Sequence, residues 1–204
     1  MDTKEFKRNY IIHYLLLEKD FENTMPFLTV AEENFNAYSA VYLKLLITIG
    51  SEIDVMLGVL AKEYEPSSKK TGFGCTKIIS KYERDIRQLK VRLKEDISIL
   101  PWECDEIPDW WTAYNEIKHN RCENAEKFDC SKKYFQYANQ KNVLYALAAL
   151  FSLEMYAYRK IALNNNEEMY VPDIKTIFSI ENSYWKDVSM GTASISMGSY
   201  LYML

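Results

Sequence analysis

A run of apolar side chains at helical spacing constrains the fold of this chain more than any other feature of its sequence. Between Val30 and Tyr64, large apolar residues recur at intervals of three and four: Phe35, Tyr38, Tyr42, Leu45, Ile49, Ile53, Met56 and Leu60. This period places them on one side of an α-helix that other elements must cover. The segment from Val30 to Tyr64 is therefore predicted to form one long, largely buried helix.

Two glycines interrupt that helix and frame an acidic residue. Gly50, Asp54 and Gly58 fall on one line, one helical turn apart. Two glycines inside a helix cost about 2 kcal/mol relative to alanine, so we expect a backbone or a bulky side chain to approach there. Asp54 would then lie close to that neighbour and need a polar partner. The alternative is a solvated acid on the exposed face.

Four further segments carry a helical pattern, and the last part of the chain does not. The expected helices are Phe6–Phe21, Thr76–Asp96, Pro108–Arg121 and Phe135–Leu163, of which the alanine-rich last one is expected to be the most buried. Alternation at a period of two begins only after Asn166, from Ile174 to Ile180, and Ile195–Leu204 is again rich in strand formers. The sequence predicts an all-α bundle of four to five helices over residues 1–165, with a short β or extended C-terminal arm over residues 166–204.

Composition narrows the class of protein. The chain has 204 residues, 48% of them hydrophobic and 26% charged, which suits one sizeable globular domain. Its beginning lacks the apolar core of a signal peptide, and the longest apolar run, Val143–Leu153, is too short to span a bilayer. We therefore expect a cytoplasmic protein without membrane contact.

No cofactor or metal is expected. The four cysteines, none of them in a Cys-x-x-Cys pair, are predicted to be free thiols: Cys75, Cys104, Cys122 and Cys130. A zinc site can be drawn from His119, Cys122 and Cys130, but their scattered spacing argues against it.

The segment Pro108–Arg121 concentrates the side chains of a candidate site. Proline and aspartate suit its start as a helix. Helical spacing puts Trp111, Asn115 and His119 on one stripe. The neighbouring positions expected to bind a ligand with Trp111 are Tyr114, Lys118 and Arg121. The other histidine, His13, is expected to be partly buried with one hydrogen bond.

A second candidate surface is basic. From Lys69 to Lys94, nine lysines and arginines stand against two acidic residues, a local net charge of +7 in a chain whose overall charge is −4. Clustered positive charge attracts phosphate backbones, and Lys81, Arg84 and Arg87 are the expected contacts. The alternative is that this charge is a solvated helix face.

These motifs occur in an order that resembles the HEPN superfamily. Ser51-Glu52-x-Asp54 is followed by Pro101-Trp102 and then by Trp-Trp-x-x-Tyr-Asn-x-x-Lys-His-x-Arg, which ends at Arg121. The resemblance covers roughly Phe35 to Leu163 and is closest to uncharacterised bacterial and phage-defence-like branches with a Tyr-Asn-x-x-Lys-His hallmark. It implies an all-α bundle that is often dimeric. Active members of the superfamily are metal-independent ribonucleases with an Arg-x4-6-His motif near the dimer seam.

The resemblance also implies catalytic roles. His119 corresponds to the motif histidine and Asn115 to its polar residue, while Glu52 or Asp54 would be the acid that faces the imidazole. Tyr114 occupies the position of the motif arginine, or Ala113 does if the spacing is longer. The chain departs from the active pattern at this point, so a charge needed for RNA cleavage is missing.

Two classes of function remain open. The first is an RNA- or nucleotide-binding module, or a degenerate ribonuclease, of a defence or toxin-type system. The second is a helical scaffold that binds another protein. In either case a homodimer is expected, with the His119 end of its helix near the seam and the apolar Tyr200–Leu204 packed on a neighbour.

Overall fold

A computed structural model describes residues 1–93, 97–103 and 107–180, and most of this part of the chain is helical. The helices are α1 (Thr3–Phe6), α2 (Ile12–Glu22), α3 (Ala40–Tyr64), α4 (Thr76–Tyr82), α5 (Asp109–Asn120) and α6 (Gln140–Asn164). Helix α1 continues through a π-helical turn (Lys7–Ile11) directly into α2. None of the helices in these residues is both long and apolar enough to cross a membrane.

Helices α3 and α6 pack along each other and form the centre of the protein. Ser39 caps α3 by accepting from the backbone N–H of Tyr42 at 3.1 Å, and Asn139 caps α6 by accepting from that of Asn142 at 2.9 Å. Helix α6 is buried from Val143 to Tyr158 except at Tyr145, as its alanine-rich sequence predicts. The other helices cover this pair, α5 and α4 on one side of α3 and α2 on another.

Helix α3 is shorter than the predicted helix Val30–Tyr64, because residues before Ser39 form hydrogen bonds with the start of α6 and do not continue the helix. Glu32–Asn34 forms only a 3₁₀ turn, and Tyr38 makes an isolated β-bridge with Asn139. The backbone carbonyls of Phe35 and Ala37 accept from Lys141 and Gln140. Apolar spacing in this segment therefore reflects packing against α6 and not helical structure.

The prediction of a single helix over Thr76–Asp96 is wrong. Helix α4 ends at Tyr82, a 3₁₀ turn follows at Arg84–Gln88, and residues Val91–Leu93 form strand β1. In this last part Leu89, Val91 and Leu93 are buried while Arg92 is exposed, which is the period of a strand. Three apolar residues at a spacing of two were compatible with either structure, and tertiary packing decided for the strand.

Strands consequently occur well before Asn166, contrary to the prediction. Strand β1 pairs antiparallel with β2 (Ser98–Ile99) and with β5 (Phe178–Ile180), in the order β2-β1-β5. A second, two-stranded sheet joins β3 (Asn124–Ala125) to β4 (Asp129–Lys133). The fold is mainly helical with two small sheets and is not all-α.

The predicted extended segment near Ile174 is confirmed at β5 and lies against the helices. Phe178 contacts the ring of Phe151 with centroids 5.7 Å apart. The buried Glu18 of α2 accepts hydrogen bonds from the hydroxyl of Thr176 and the backbone N–H of Ile177. The predicted strand formers from Ile195 onward, the apolar end at Tyr200–Leu204 and Lys94 lie outside the described residues.

Candidate functional site

Helix α3 directs its two candidate carboxylates to different sides. Two residues along an α-helix correspond to a rotation of about 200°. Glu52 accordingly faces α2, where its Oε2 lies 3.2 Å from Nδ1 of His13. Asp54 faces α5, where its Oδ2 accepts a hydrogen bond of 3.1 Å from the hydroxyl of Tyr114. The two acids therefore belong to separate clusters.

Gly50 makes the contact between α3 and α5 possible. A Cβ atom at this position would lie 2.3 Å from Cδ2 of Tyr114, so the aromatic ring occupies the space that any other residue would fill. The ring lies over Gly50 and its hydroxyl reaches Asp54, one turn further along α3. The predicted close approach, and the position of Asp54 beside it, are confirmed. A Cβ atom added at Gly58 would meet no atom within 4 Å, so the prediction of a close approach is wrong at that position.

Lys118 completes a polar cluster around the Tyr114 hydroxyl. Its Nζ lies 3.5 Å from that oxygen and 5.5 Å from the centre of the ring. Burial raises the pKa of Tyr114 to about 12, and the negative charge of Asp54 adds to the effect. Tyr114 is thus a neutral hydrogen-bond donor at physiological pH, and we refer to these three residues as the Asp54–Tyr114–Lys118 cluster.

A glycine-containing turn and an aromatic contact hold the adjacent loop against this cluster. Gly72 has a φ of +54°, and a Cβ atom there would lie 3.2 Å from Oδ1 of Asp54. Next to it, the ring of Phe73 packs on Trp111 with centroids 5.1 Å apart. Trp111 is only 6% exposed and Tyr114 only 1%. The two rings predicted to bind a ligand therefore contribute mainly to the contact between α5, α3 and this loop.

The predicted pairing of His119 with Glu52 or Asp54 is wrong. His119 is exposed, and no hydrogen bond or ion pair within the described residues joins it to either carboxylate. Tyr114 and Lys118, one turn apart, occupy the side of α5 that faces Asp54, and His119 is rotated about 100° from Lys118. His119 acts instead on Glu116 of the same helix, where it contributes to lowering the pKa of that carboxyl group.

The other predicted residues of α5 have local partners or face solvent. The side-chain amide of Asn115 donates to the backbone carbonyl of Trp111 at 3.0 Å, and Arg121 is exposed. Glu116, which the sequence did not single out, accepts from Lys127 at 2.5 Å and from Asn120 at 2.8 Å. The bond from Lys127 ties the end of α5 to the β3–β4 hairpin.

The histidine that meets a carboxylate is His13, which the sequence predicted to be partly buried with one partner. The partial burial is confirmed, and the contact that the structure shows is an ion-pair distance of 3.2 Å to Glu52. The imidazole borders a surface groove between α2 and α3, together with Leu16, Lys19, Asp20, Lys44 and Thr48. Helical spacing alone gave no sign of this pair, because it depends on how α2 and α3 pack.

The basic segment runs through three kinds of backbone structure, and all its described cations except the half-buried Lys90 are exposed. Lys77 and Lys81 are one turn apart on α4, and Arg84 and Arg87 are three residues apart on the 3₁₀ turn. In both cases isoleucines occupy the buried side: Ile78, Ile79 and Ile86. Arg92 then lies on the outer face of β1. We call the described residues from Lys69 to Arg92 the basic strip.

Most cations of the basic strip have no acidic partner. Within the residues that the structure describes, Lys81 alone forms an ion pair, at 3.0 Å from Glu65. Seven have none: Lys69, Lys70, Lys77, Arg84, Arg87, Lys90 and Arg92. Elsewhere in the described chain four lysines form ion pairs, Lys19, Lys44, Lys127 and Lys132, and the other lysines there do not. Eight cations against Glu83 and Asp85 give the basic strip a net charge of +6.

The basic strip begins beside the Asp54–Tyr114–Lys118 cluster. Its first residues lead into the turn at Gly72, where an added Cβ atom would lie 3.2 Å from Oδ1 of Asp54. Cys75, at the end of that turn, is buried, and burial raises the pKa of its thiol. The charges of Lys70 and Asp54 both act on this thiol, Lys70 to lower the pKa and Asp54 to raise it. The exposed Lys118 thus adds one more cation near the start of the strip.

The comparisons with known proteins found no relatives: no family model, no curated protein and no solved structure matches this chain. Among the described residues, no group of three or more His, Cys, Asp or Glu side chains is placed to hold a metal ion. The site must therefore be interpreted from its own geometry.

Proposed function

We propose that the protein binds RNA through the basic strip. The observation that supports this most is the set of seven cations that have no acidic partner among the described residues and lie on consecutive elements of one surface segment. Such side chains can replace the counterions that are condensed on an RNA backbone, and the release of those ions drives binding. A net charge of +6 over this segment attracts a polyanion even though the whole chain carries −4.

The proposal is binding and not cleavage. Metal-free cleavage of RNA needs a base for the 2′-hydroxyl, an acid for the leaving oxygen and a cation for the charge on phosphorus. His119 lacks a carboxylate partner among the described residues, and Asp54 is engaged by Tyr114. A HEPN-like family membership and a role in a defence or toxin-type system are parts of this proposal that rest on the resemblance alone. A homodimer with the His119 end of α5 near its seam is a further part, which rests on the resemblance and on the apolar sequence Tyr200–Leu204.

A binding titration tests the proposal. Fluorescence anisotropy of a labelled single-stranded RNA is measured with the wild type and with a Lys77→Glu, Arg84→Glu, Arg87→Glu variant. All three residues are exposed and without ion pairs in the described structure, so the variant is expected to fold. We expect its affinity to fall at least tenfold.

A charge-matched control separates the basic strip from overall charge. Lys4→Glu, Arg8→Glu and Lys175→Glu change the net charge by the same amount at exposed positions outside the strip. This control is expected to retain most of the affinity. Equal losses in both triple variants would mean that the strip has no special role, and unchanged affinity in the strip variant would refute the proposal.

A second candidate function, a scaffold that binds another protein, is favoured by an apolar surface between α2 and α3. Phe27 is 89% exposed, Val41 53% and Tyr38 48%, and all three border one groove. Exposed apolar clusters of this kind mark contact surfaces. A protein that copurifies with the wild type but not with a Phe27→Asp variant, together with no RNA binding, would favour this function over the first.

A further inference from the structure

A carboxylic acid lies in the middle of the most buried helix without a compensating partner. Glu154 of α6 is 2% exposed. Its Oε2 atom has no hydrogen-bond partner in the described structure, and no cation pairs with it there. A buried ionised carboxylate without a partner is strongly unfavourable, so such a group either binds a counter-charge or keeps its proton.

The groups that face Glu154 from neighbouring helices make its ionisation harder. From α3, the negative charge of Glu52 acts on Glu154 across the packed helices. From α2, the buried Tyr14 is electrostatically coupled to Glu154 and donates a hydrogen bond to Glu18. Burial raises the pKa of Glu154 well above its ordinary value, and the charge of Glu52 raises it further.

Within the described residues, the basic side chain that contacts Glu52 is His13. Its Nδ1 lies 3.2 Å from Oε2 of Glu52, and its side chain is 42% exposed, so it exchanges protons with solvent. On the groove side of His13 stand Lys19, Asp20 and Lys44, of which Lys44 pairs with Asp20 and Lys19 with Glu22. His13 thus contacts, at a half-exposed position, the acid whose charge acts on Glu154.

We propose that His13, Glu52 and Glu154 form a proton-operated junction between α2, α3 and α6, in which a proton held on Glu154 keeps the three helices packed. When Glu154 loses that proton, its negative charge is repelled by that of Glu52. Helix α2 is the one that can move away, because α3 and α6 are held together by their long mutual contact. Protonated His13 offsets the charge of Glu52 and so makes this loss easier.

The direction of the pH effect follows from the raised pKa. In the unfolded chain Glu154 releases its proton near the ordinary carboxyl value of 4.5, while in the folded protein it retains it to higher pH. Stability from this group is therefore complete below that value and decreases as the pH rises toward the folded pKa. Over this window the unfolding equilibrium constant increases by up to tenfold per pH unit, which corresponds to about 1.4 kcal/mol.

Urea unfolding from pH 5 to 8 tests the proposal with the wild type, Glu154→Gln and a His119→Gln control. Glutamine is neutral and nearly isosteric, so its variant should lose the extra pH dependence. Across the window, we expect the unfolding constant of the wild type to rise by up to tenfold more per pH unit than that of Glu154→Gln. The control should follow the wild type, because His119 lies on exposed α5 surface. Parallel profiles for the wild type and Glu154→Gln would overturn the proposal.

Two further variants keep the test decisive. Glu154→Met, also neutral and of similar length, replaces the glutamine variant if that one does not fold. His13→Gln removes the positive charge that offsets Glu52, so Glu154 should retain its proton to higher pH and the sloping part of the profile should extend in that direction. A profile that His13→Gln leaves unchanged would remove His13 from the junction. None of these measurements involves RNA, so their outcome is independent of the proposed function.

Discussion

Replacing Gly50 by alanine should destabilise the protein, although the same substitution in most helices is stabilising. An added Cβ atom would lie 2.3 Å from Cδ2, 2.4 Å from Cγ and 2.7 Å from Cε2 of Tyr114. These atoms belong to a rigid ring that is 1% exposed and packed against Trp111, with ring centres 5.3 Å apart. The ring must therefore move away from α3, and its hydrogen bond to Asp54 is lost.

The expected magnitude follows from three opposing contributions. Alanine in place of glycine favours a helix by about 1 kcal/mol. Overpacking a filled site costs about 1–3 kcal/mol. Loss of the Tyr114 hydrogen bond to a charged acceptor costs about 1.5–3 kcal/mol. The net effect of Gly50→Ala is a destabilisation of about 1.5–5 kcal/mol.

Gly58 provides a matched control in the same helix. An added Cβ atom there meets nothing within 4 Å, so Gly58→Ala should stabilise the protein by about 1 kcal/mol. Both variants are compared with the wild type by urea unfolding, followed through tryptophan fluorescence. A Gly50→Ala protein as stable as Gly58→Ala would refute the packing of Tyr114 over α3. If Tyr114→Ala removes most of the cost of Gly50→Ala in the double variant, the clash is located at this ring.

Two other substitutions test contacts that hold the fold together. Tyr114→Phe keeps the ring but removes the hydroxyl that donates to Asp54, so thermal unfolding should show a loss of about 1.5–3 kcal/mol. Glu18→Ala leaves the donors of Tyr14, Thr176 and Ile177 without their buried acceptor, which should cost about 3 kcal/mol or more. Hydrogen exchange at the Ile177 amide should accelerate in this second variant, and an unchanged rate would show that Glu18 does not hold the segment before β5.

Features of the fold that depend on local periodicity could be predicted from the sequence. The α5 segment opens with proline and aspartate and contains no internal glycine, and its predicted and observed limits agree to within one residue. The alanine-rich character of α6 likewise indicated its burial. The close approach at Gly50 followed from the cost of glycine in a helix, which must be offset by a contact.

Features that depend on packing between distant segments could not be predicted. Leu89, Val91 and Leu93 fit a helix or a strand, and their pairing with residues 178–180 is visible only in the fold. The choice between His13 and His119 as the partner of Glu52 depends on which helix covers that side of α3. Spacing within one helix shows which residues share a face, but not which helix the face will meet.

The salt dependence of RNA affinity tests the central claim, RNA binding by the basic strip, most directly. For a single strand, the logarithm of the binding constant falls with the logarithm of salt concentration with a slope of about −0.7 for each phosphate contacted. A variant with Lys77→Gln, Arg84→Gln and Arg87→Gln removes three unpaired cations of the described strip without adding acids. We predict a clear negative slope for the wild type and a slope shallower by about 2 for the variant. Salt-independent binding, or the same slope in both proteins, would contradict the account.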